Sequence, residues 1–323
     1  MQFHTDIKVL DHLSVVHLDV HIWSARRKLL PLDLKGPDLP PQNLASLGSK
    51  RICNPDDLKR FTTLKARAVT LLEQHGVRFI GGWAIPESSM EAITNELISI
   101  RDEFNDAKEE FLQIYDQSVQ NWISKHPDWA EIIANSVASK DYVRSRLDFR
   151  WQMFRVASPE TDTQVDNFVE DIGNLGATLF DEVARTAKDI WHRCYAGKTE
   201  ITRKALSPLK ALHRKLVGLS FVEPHVAPTA DLIHTAFENI PKRGPINGGV
   251  LLMLQGLVSL LSNPAILAEH GQKILEGSQN PQDILQALII GTVPVDDEEQ
   301  DTFDEPDFGD TAMPPALESH GLW

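Results

Sequence analysis

The chain has 323 residues, 42% hydrophobic and 24% charged, a composition that excludes collagen-like, low-complexity and wholly disordered classes and allows a sizeable core. Its net charge is −14, but nine acidic residues lie between Asp296 and Asp310 without a Lys or Arg, so the rest is only mildly acidic and the whole is no general DNA-coating protein. Cys53 and Cys194 allow at most one disulfide and have no metal-ligand spacing.

The chain opens without a basic region followed by an apolar stretch, so no secretion signal is read and a cytoplasmic location is the expectation. The longest apolar run, Val250 to Leu261, is 12 residues, short of the ~20 that cross a bilayer. It is expected as a buried helix, with no membrane partner.

In chain order, Val16 to Trp23 alternates apolar and polar residues as a strand does. Arg26, Arg27 and Lys28 form a basic patch, and Pro31 to Pro41 is a Pro-rich connector. Asn54-Pro55 reads as a helix start, with Leu58, Phe61, Leu64, Ala68, Leu71 and Leu72 on one face and His75-Gly76 at the end. Val77 to Ile85 reads as a second strand, weakened by Gly81-Gly82.

A long helix is expected from about Ser88 to Ser124. Its apolar residues Met90, Ile93, Leu97, Ile100, Phe104, Ala107, Phe111 and Ile114 repeat in steps of three and four, a heptad seam that then shifts to Tyr115, Val119 and Trp122. Two short helices, near Trp129 to Asn135 and Lys140 to Leu147, precede a third strand, Phe149 to Val156. A second long helix is expected from Thr163 to Tyr195, with Val165, Phe168, Ile172, Leu175, Leu179, Val183, Ala187, Ile190 and Cys194 as its seam. The natural pairing is an antiparallel coiled-coil hairpin of the two long helices, with a homodimeric coiled coil as the alternative. Further helices are expected at Thr202 to Val217, from Thr229 or Asp231 to Ile240, and around Pro264 to Leu275 and Pro281 to Ile290. From Thr292 onward the acidic, Pro-containing sequence reads as disordered.

The expected fold class is therefore α+β and mostly α-helical: a long antiparallel coiled-coil hairpin, a small β-sheet at its base and a C-terminal helical region. The expected division is 1–200 for sheet and hairpin, 201–291 for the helical region and 292–323 for the acidic tail.

Three constellations could carry chemistry. His17, Asp19 and His21 fall on one face of a strand, and two imidazoles with a carboxylate can bind zinc or iron; the polar face of an amphipathic strand accounts for the same pattern. Arg144, Arg146, Arg150 and Arg155 interleave with Phe149, Trp151 and Phe154, as in surfaces that bind single-stranded nucleic acid. Period two puts Phe149, Trp151 and Met153 on one face, so a half-buried strand with solvated or paired arginines is the plainer reading. Arg203, Lys204, Lys210, Arg214 and Lys215 form a basic helix with no acid from Ile201 to Val217, able to contact phosphate or the acidic tail of the same chain, or simply to be a solvated face. No phosphate-binding glycine loop, nucleophile elbow or HExxH motif occurs. The expectation is a protein without enzymatic activity and without a cofactor.

Four segments resemble an uncharacterised bacterial family carried on integrative elements, plasmids and phages: LDVHIWSARRKL (Leu18 to Leu29), LGSKRICNP (Leu47 to Pro55), GVRFIGGWAIP (Gly76 to Pro86) and YVRSRLDFRWQMFRV (Tyr142 to Val156). The resemblance covers residues 1–200 and brings no catalytic residues. It implies a context: such genes tend to lie near those for MoxR-like or cobalt-chelatase-like AAA+ ATPases. The functional expectation is an adaptor of a mobile genetic element working with such an ATPase. The alternatives are a nucleic-acid-binding protein using the two basic segments, and a metal-dependent enzyme built on His17, Asp19 and His21.

Overall fold

The structure, a computed structural model, describes residues 9–33, 48–157 and 170–290. Strand β1 (Leu13–His21) runs through the middle of a four-stranded antiparallel sheet. Strand β2 (Arg26–Lys28) pairs with β3 (Ser49–Arg51) in a separate ribbon. The helix start at Asn54 forms as its sequence implies: the Asn54 side chain accepts from the backbone N–H of Asp56, Pro55 opens a 3-10 turn, and α1 (Lys59–His75) follows.

Residues 77–86 are not one strand but a hairpin of β4 (Val77–Phe79) and β5 (Gly82–Pro86). Ile80 and Gly81 both have positive φ, 44° and 71°, as a two-residue hairpin turn requires. Gly82 is needed for another reason: a Cβ there would meet the Val16 carbonyl oxygen at 2.5 Å. The long helix α2 (Met90–Lys125) has 36 residues. Short helices α3 (Ala130–Ala134) and α4 (Lys140–Ser145) lead into strand β6 (Asp148–Phe154). The sheet order is β4-β5-β1-β6.

Helix α5 (Leu175–Ile190) continues into a π-helical turn, Trp191–Tyr195. A two-stranded ribbon of β7 (Glu200–Ile201) and β8 (Ile246–Asn247) brackets α6 (Ser207–Gly218) and α7 (Val226–Glu238). The last helices are α8 (Gly248–Leu261), α9 (Pro264–Leu275) and α10 (Pro281–Ile290). Helix α7 begins before the expected Thr229, because Pro228 sits within its first turn, where a missing N–H costs nothing. No single described helix is long and apolar enough to cross a membrane, and α8 buries Leu251, Met253, Leu254, Leu257, Val258, Leu260 and Leu261.

The sheet lies between two hydrophobic clusters, and strand periodicity divides its side chains between them. Val16 and Val20 of β1 join Trp83 and Ile85 in a cluster with α1, α2 and Phe149. Leu13 and Val15 join Val77, Phe79 and Ala84 in a cluster with α5 to α10. The described residues, between 9 and 290, fall in one compact unit, and the acidic tail lies outside the described residues.

The expected hairpin of the two long helices is corrected by this arrangement. The heptad seam of α2 is buried from Ile93 to Phe111 and shifts to Tyr115 and Val119 as its spacing implies, while Ile114 is 56% exposed. Its mate is α1. Phe61 packs edge-on to Phe104 at 4.9 Å and to Phe111 at 6.1 Å. Arg60 pairs with Glu110, and Arg67 with Glu103 at 2.8 Å and Glu96 at 3.1 Å, so the two helices run antiparallel. The seam of α5 belongs to the other cluster. It buries Gly176, Phe180 and Ala184 beside Leu175, Leu179, Val183 and Ala187, a stripe too wide for a coiled-coil seam and suited to a globular core. The expected seam residues Val165 and Phe168 lie outside the described residues.

Candidate functional site

Strand β6 is the edge of the sheet, and its two faces meet different surroundings. Phe149, Trp151 and Met153 face α2 as their period-two spacing implies. Phe149 packs on Phe104 at 5.6 Å, the Arg101 guanidinium lies 5.4 Å from the Trp151 ring centroid, and the Thr94 hydroxyl contacts the Met153 sulfur at 3.6 Å. The helix thus tracks the strand for its whole length. Met153 and Phe154 are nonetheless 44% and 41% exposed.

Two clefts flank this edge. One, of about 310 Å³, is lined by Asp19, Arg101, Phe149, Arg150, Trp151 and Gln152. The other, of about 420 Å³, is lined by Ser14, Glu87, Met90, Met153, Phe154 and Arg155. An edge strand carries unpaired main-chain N–H and C=O groups, which an added strand can satisfy, while clefts beside it take alternate side chains. At the opposite edge β4 has only three residues and packs on α5.

The arginines singled out by the sequence gather around this edge, but carboxylates neutralise most of them. Arg144 binds Glu109 through two bonds, one of 3.0 Å. Arg150 pairs with Asp148 at 2.6 Å and lies 3.7 Å from Asp19, its cross-strand neighbour. Arg155 pairs with Glu87. Arg146 stacks on the Tyr142 ring at 5.3 Å, with Arg27 at 4.8 Å from the same ring, and the Arg146 hydrogen bond holds that phenol below its ordinary range. Three of the four arginines thus have a carboxylate partner.

His17, Asp19 and His21 share the outer face of β1, as expected, yet they do not converge on one point. The His17 Nδ1 lies 3.3 Å from the Gly81 carbonyl oxygen, whereas Asp19 is divided between His21 Nε2 at 2.9 Å and Arg150. Among the described residues, no group of three or more His, Cys, Asp and Glu could hold a metal ion. The three side chains do not make one donor set, because His17 is directed to the Gly81 carbonyl while His21 meets Asp19.

Arg203, Lys204, Lys210 and Arg214 lie away from this edge, around α6 and the turn before it, all exposed. Lys215 is separate from them: it is buried and paired with Glu182 at 2.6 Å. Sequence reasoning missed Arg101, whose charge reads as a solvated helix position, and the exposure of Met153 and Phe154, which depends on the strand being an edge.

The residue pattern of one protein family matches residues 10–263, a family described as a protein of unknown function, DUF3150. The chain belongs to the DUF3150 family. The match takes in the whole sheet, both clefts and the helices up to the end of α8, beyond the residues 1–200 of the expected resemblance. No curated protein and no solved structure matches the chain. Membership of DUF3150 therefore assigns a family and no chemistry.

Proposed function

We propose that this DUF3150 protein is a non-enzymatic adaptor that takes an extended segment of its partner as a fifth strand along β6. The observation that carries this reading is that β6 is the outermost strand among the described residues, with a cleft on either side and with Met153 and Phe154 exposed. Main-chain pairing supplies affinity in such docking, and the clefts supply specificity. Helix α2, with 36 residues roughly 54 Å long at 1.5 Å per residue, braces the strand from behind.

For the partner we propose an AAA+ ATPase of the MoxR-like or cobalt-chelatase-like kind, in the cytoplasm of a cell carrying a mobile element. The support for this class is the resemblance of the four segments named above. The acidic run from Asp296 to Asp310 offers the same partner a polyanion for its basic surfaces.

The test is co-purification with the neighbouring ATPase from cells carrying the native genes, with ATP turnover measured alone and with the adaptor. Wild type is expected to co-purify and to change the turnover. Met153→Glu and Phe154→Glu, both at exposed positions, should abolish both effects while leaving the far-ultraviolet circular dichroism unchanged. An ATPase that ignores the wild-type protein at micromolar concentrations rejects the reading.

A further inference from the structure

The second basic group differs from the first in having no ion-pair partner among the described residues, and the tertiary structure enlarges it. Strands β7 and β8 pair Glu200 with Asn247 and Ile201 with Ile246. That short ribbon brings two dibasic doublets, Arg203-Lys204 and Lys242-Arg243, to the same end. Arg203 donates to the carbonyl oxygen of Pro241, 38 residues away in sequence, which holds one doublet against the other. Lys210 and Arg214 continue the row, one turn apart on the exposed side of α6, opposite the buried Leu209, Leu212 and Leu216.

All six cations are exposed. Among the described residues none of them has a carboxylate within ion-pair distance, in contrast to Arg144, Arg150 and Arg155. On the neighbouring helix α7, Glu238 lies 3.6 Å from His234, and Asp231 acts on His213. Uncompensated cations repel one another, and in a chain of net charge −14 such a row gives local attraction to anions that the molecule as a whole repels.

We propose that this row is a binding surface for the phosphate backbone of a nucleic acid. From Lys204 to Arg214 it extends roughly 15 Å at 1.5 Å per residue, with Lys242 and Arg243 at one end. An elongated row fits successive phosphates of a strand better than one compact anion. None of the six is aromatic, so the contact is to backbone rather than to stacked bases and does not depend on sequence. The surface is separate from the β6 edge and does not rest on the adaptor reading.

Fluorescence anisotropy of the full chain with a labelled DNA duplex and a labelled single strand tests this. With Arg203 held on the Pro241 carbonyl, the other five cations give a slope near −4.5 in log K against log salt, so affinity for duplex should fall roughly 500-fold between 50 and 200 mM salt. Lys210→Glu with Arg214→Glu should weaken binding at least tenfold and make the slope shallower by about 2. Lys242→Ala with Arg243→Ala, in a loop away from the core, should do the same and serves if the helix variant unfolds. Arg150→Ala should change neither. The proposal is overturned if neither nucleic acid binds at 50 mM salt, if Arg150→Ala removes binding and the α6 variant does not, or if a polyglutamate peptide binds this row while nucleic acid does not.

Discussion

Lys215 and Glu182 are the residues whose chemistry depends most on their place in the fold. The Lys215 ammonium donates to Glu182 at 2.6 Å and to the Glu73 carbonyl oxygen at 2.8 Å, and the backbone N–H of Arg78 donates to the other Glu182 oxygen at 3.0 Å. One ion pair thus ties α6 and α5 to the end of α1 and the start of β4. Glu182→Gln or Lys215→Met leaves a buried charge without its partner and should cost about 3–5 kcal/mol in urea unfolding, while the double replacement Glu182→Leu with Lys215→Met should recover a good part of that loss. Cys53 carries a second residue-scale prediction. It is fully buried, and desolvation, reinforced by Asp57, pushes its thiol up to about 12. A thiol reagent should leave Cys53 unmodified in the folded protein and reach it only after denaturation.

At the scale of elements, the antiparallel pair α1 and α2 rests on a phenylalanine contact. Phe61→Ala and Phe104→Ala should each cost about 3–5 kcal/mol, and the double-mutant cycle should show coupling of roughly 0.5–1.5 kcal/mol from the edge-to-face rings. If α2 instead paired with α5, Phe61 and Phe104 would show no coupling. The β4–β5 turn holds an isoleucine at φ 44°, a conformation that costs a side chain of this kind about 1–2 kcal/mol. Ile80 is 48% exposed, so Ile80→Asn should raise the denaturant midpoint, by roughly 1 kcal/mol of stability. The α2 seam and the capped start at Asn54 are local patterns readable from residue order, but the seam leaves its heptad after Phe111, one step earlier than the spacing implies, and Ile114 is exposed. The mate of the seam is not readable in this way, because a heptad specifies an apolar stripe and several helices in this chain present one.

At the scale of the whole molecule, His213 and His270 both sit in the C-terminal helical half. Burial lowers the affinity of each for a proton; at His213 the neighbouring His234 adds to this against the opposing pull of Asp231, and at His270 Lys273 adds to it against Glu269 and a Gln279 hydrogen bond. The unfolded chain therefore binds more protons than the folded one just below the ordinary histidine range, and stability should rise with pH there. The melting temperature is expected to fall as pH drops below about 6.5, and His213→Phe with His270→Phe should flatten that part of the profile. A slope unchanged by the double replacement would assign the effect to other groups.

The sequence by itself determined the longer helices, the heptad of α2, the buried character of Val250 to Leu261 and the period-two faces of β1 and β6. These follow from local spacing, which records which side of an element is apolar. Only the tertiary structure decided that α2 packs on α1, that residues 77–86 turn back as a hairpin, and that β6 is the outermost strand among the described residues. It also decided which arginines meet carboxylates and which do not. Charge patterns along a chain count residues, whereas neutralisation depends on distance in space, and the pairs that decide it here, Arg144 with Glu109 and Arg155 with Glu87, are far apart in sequence.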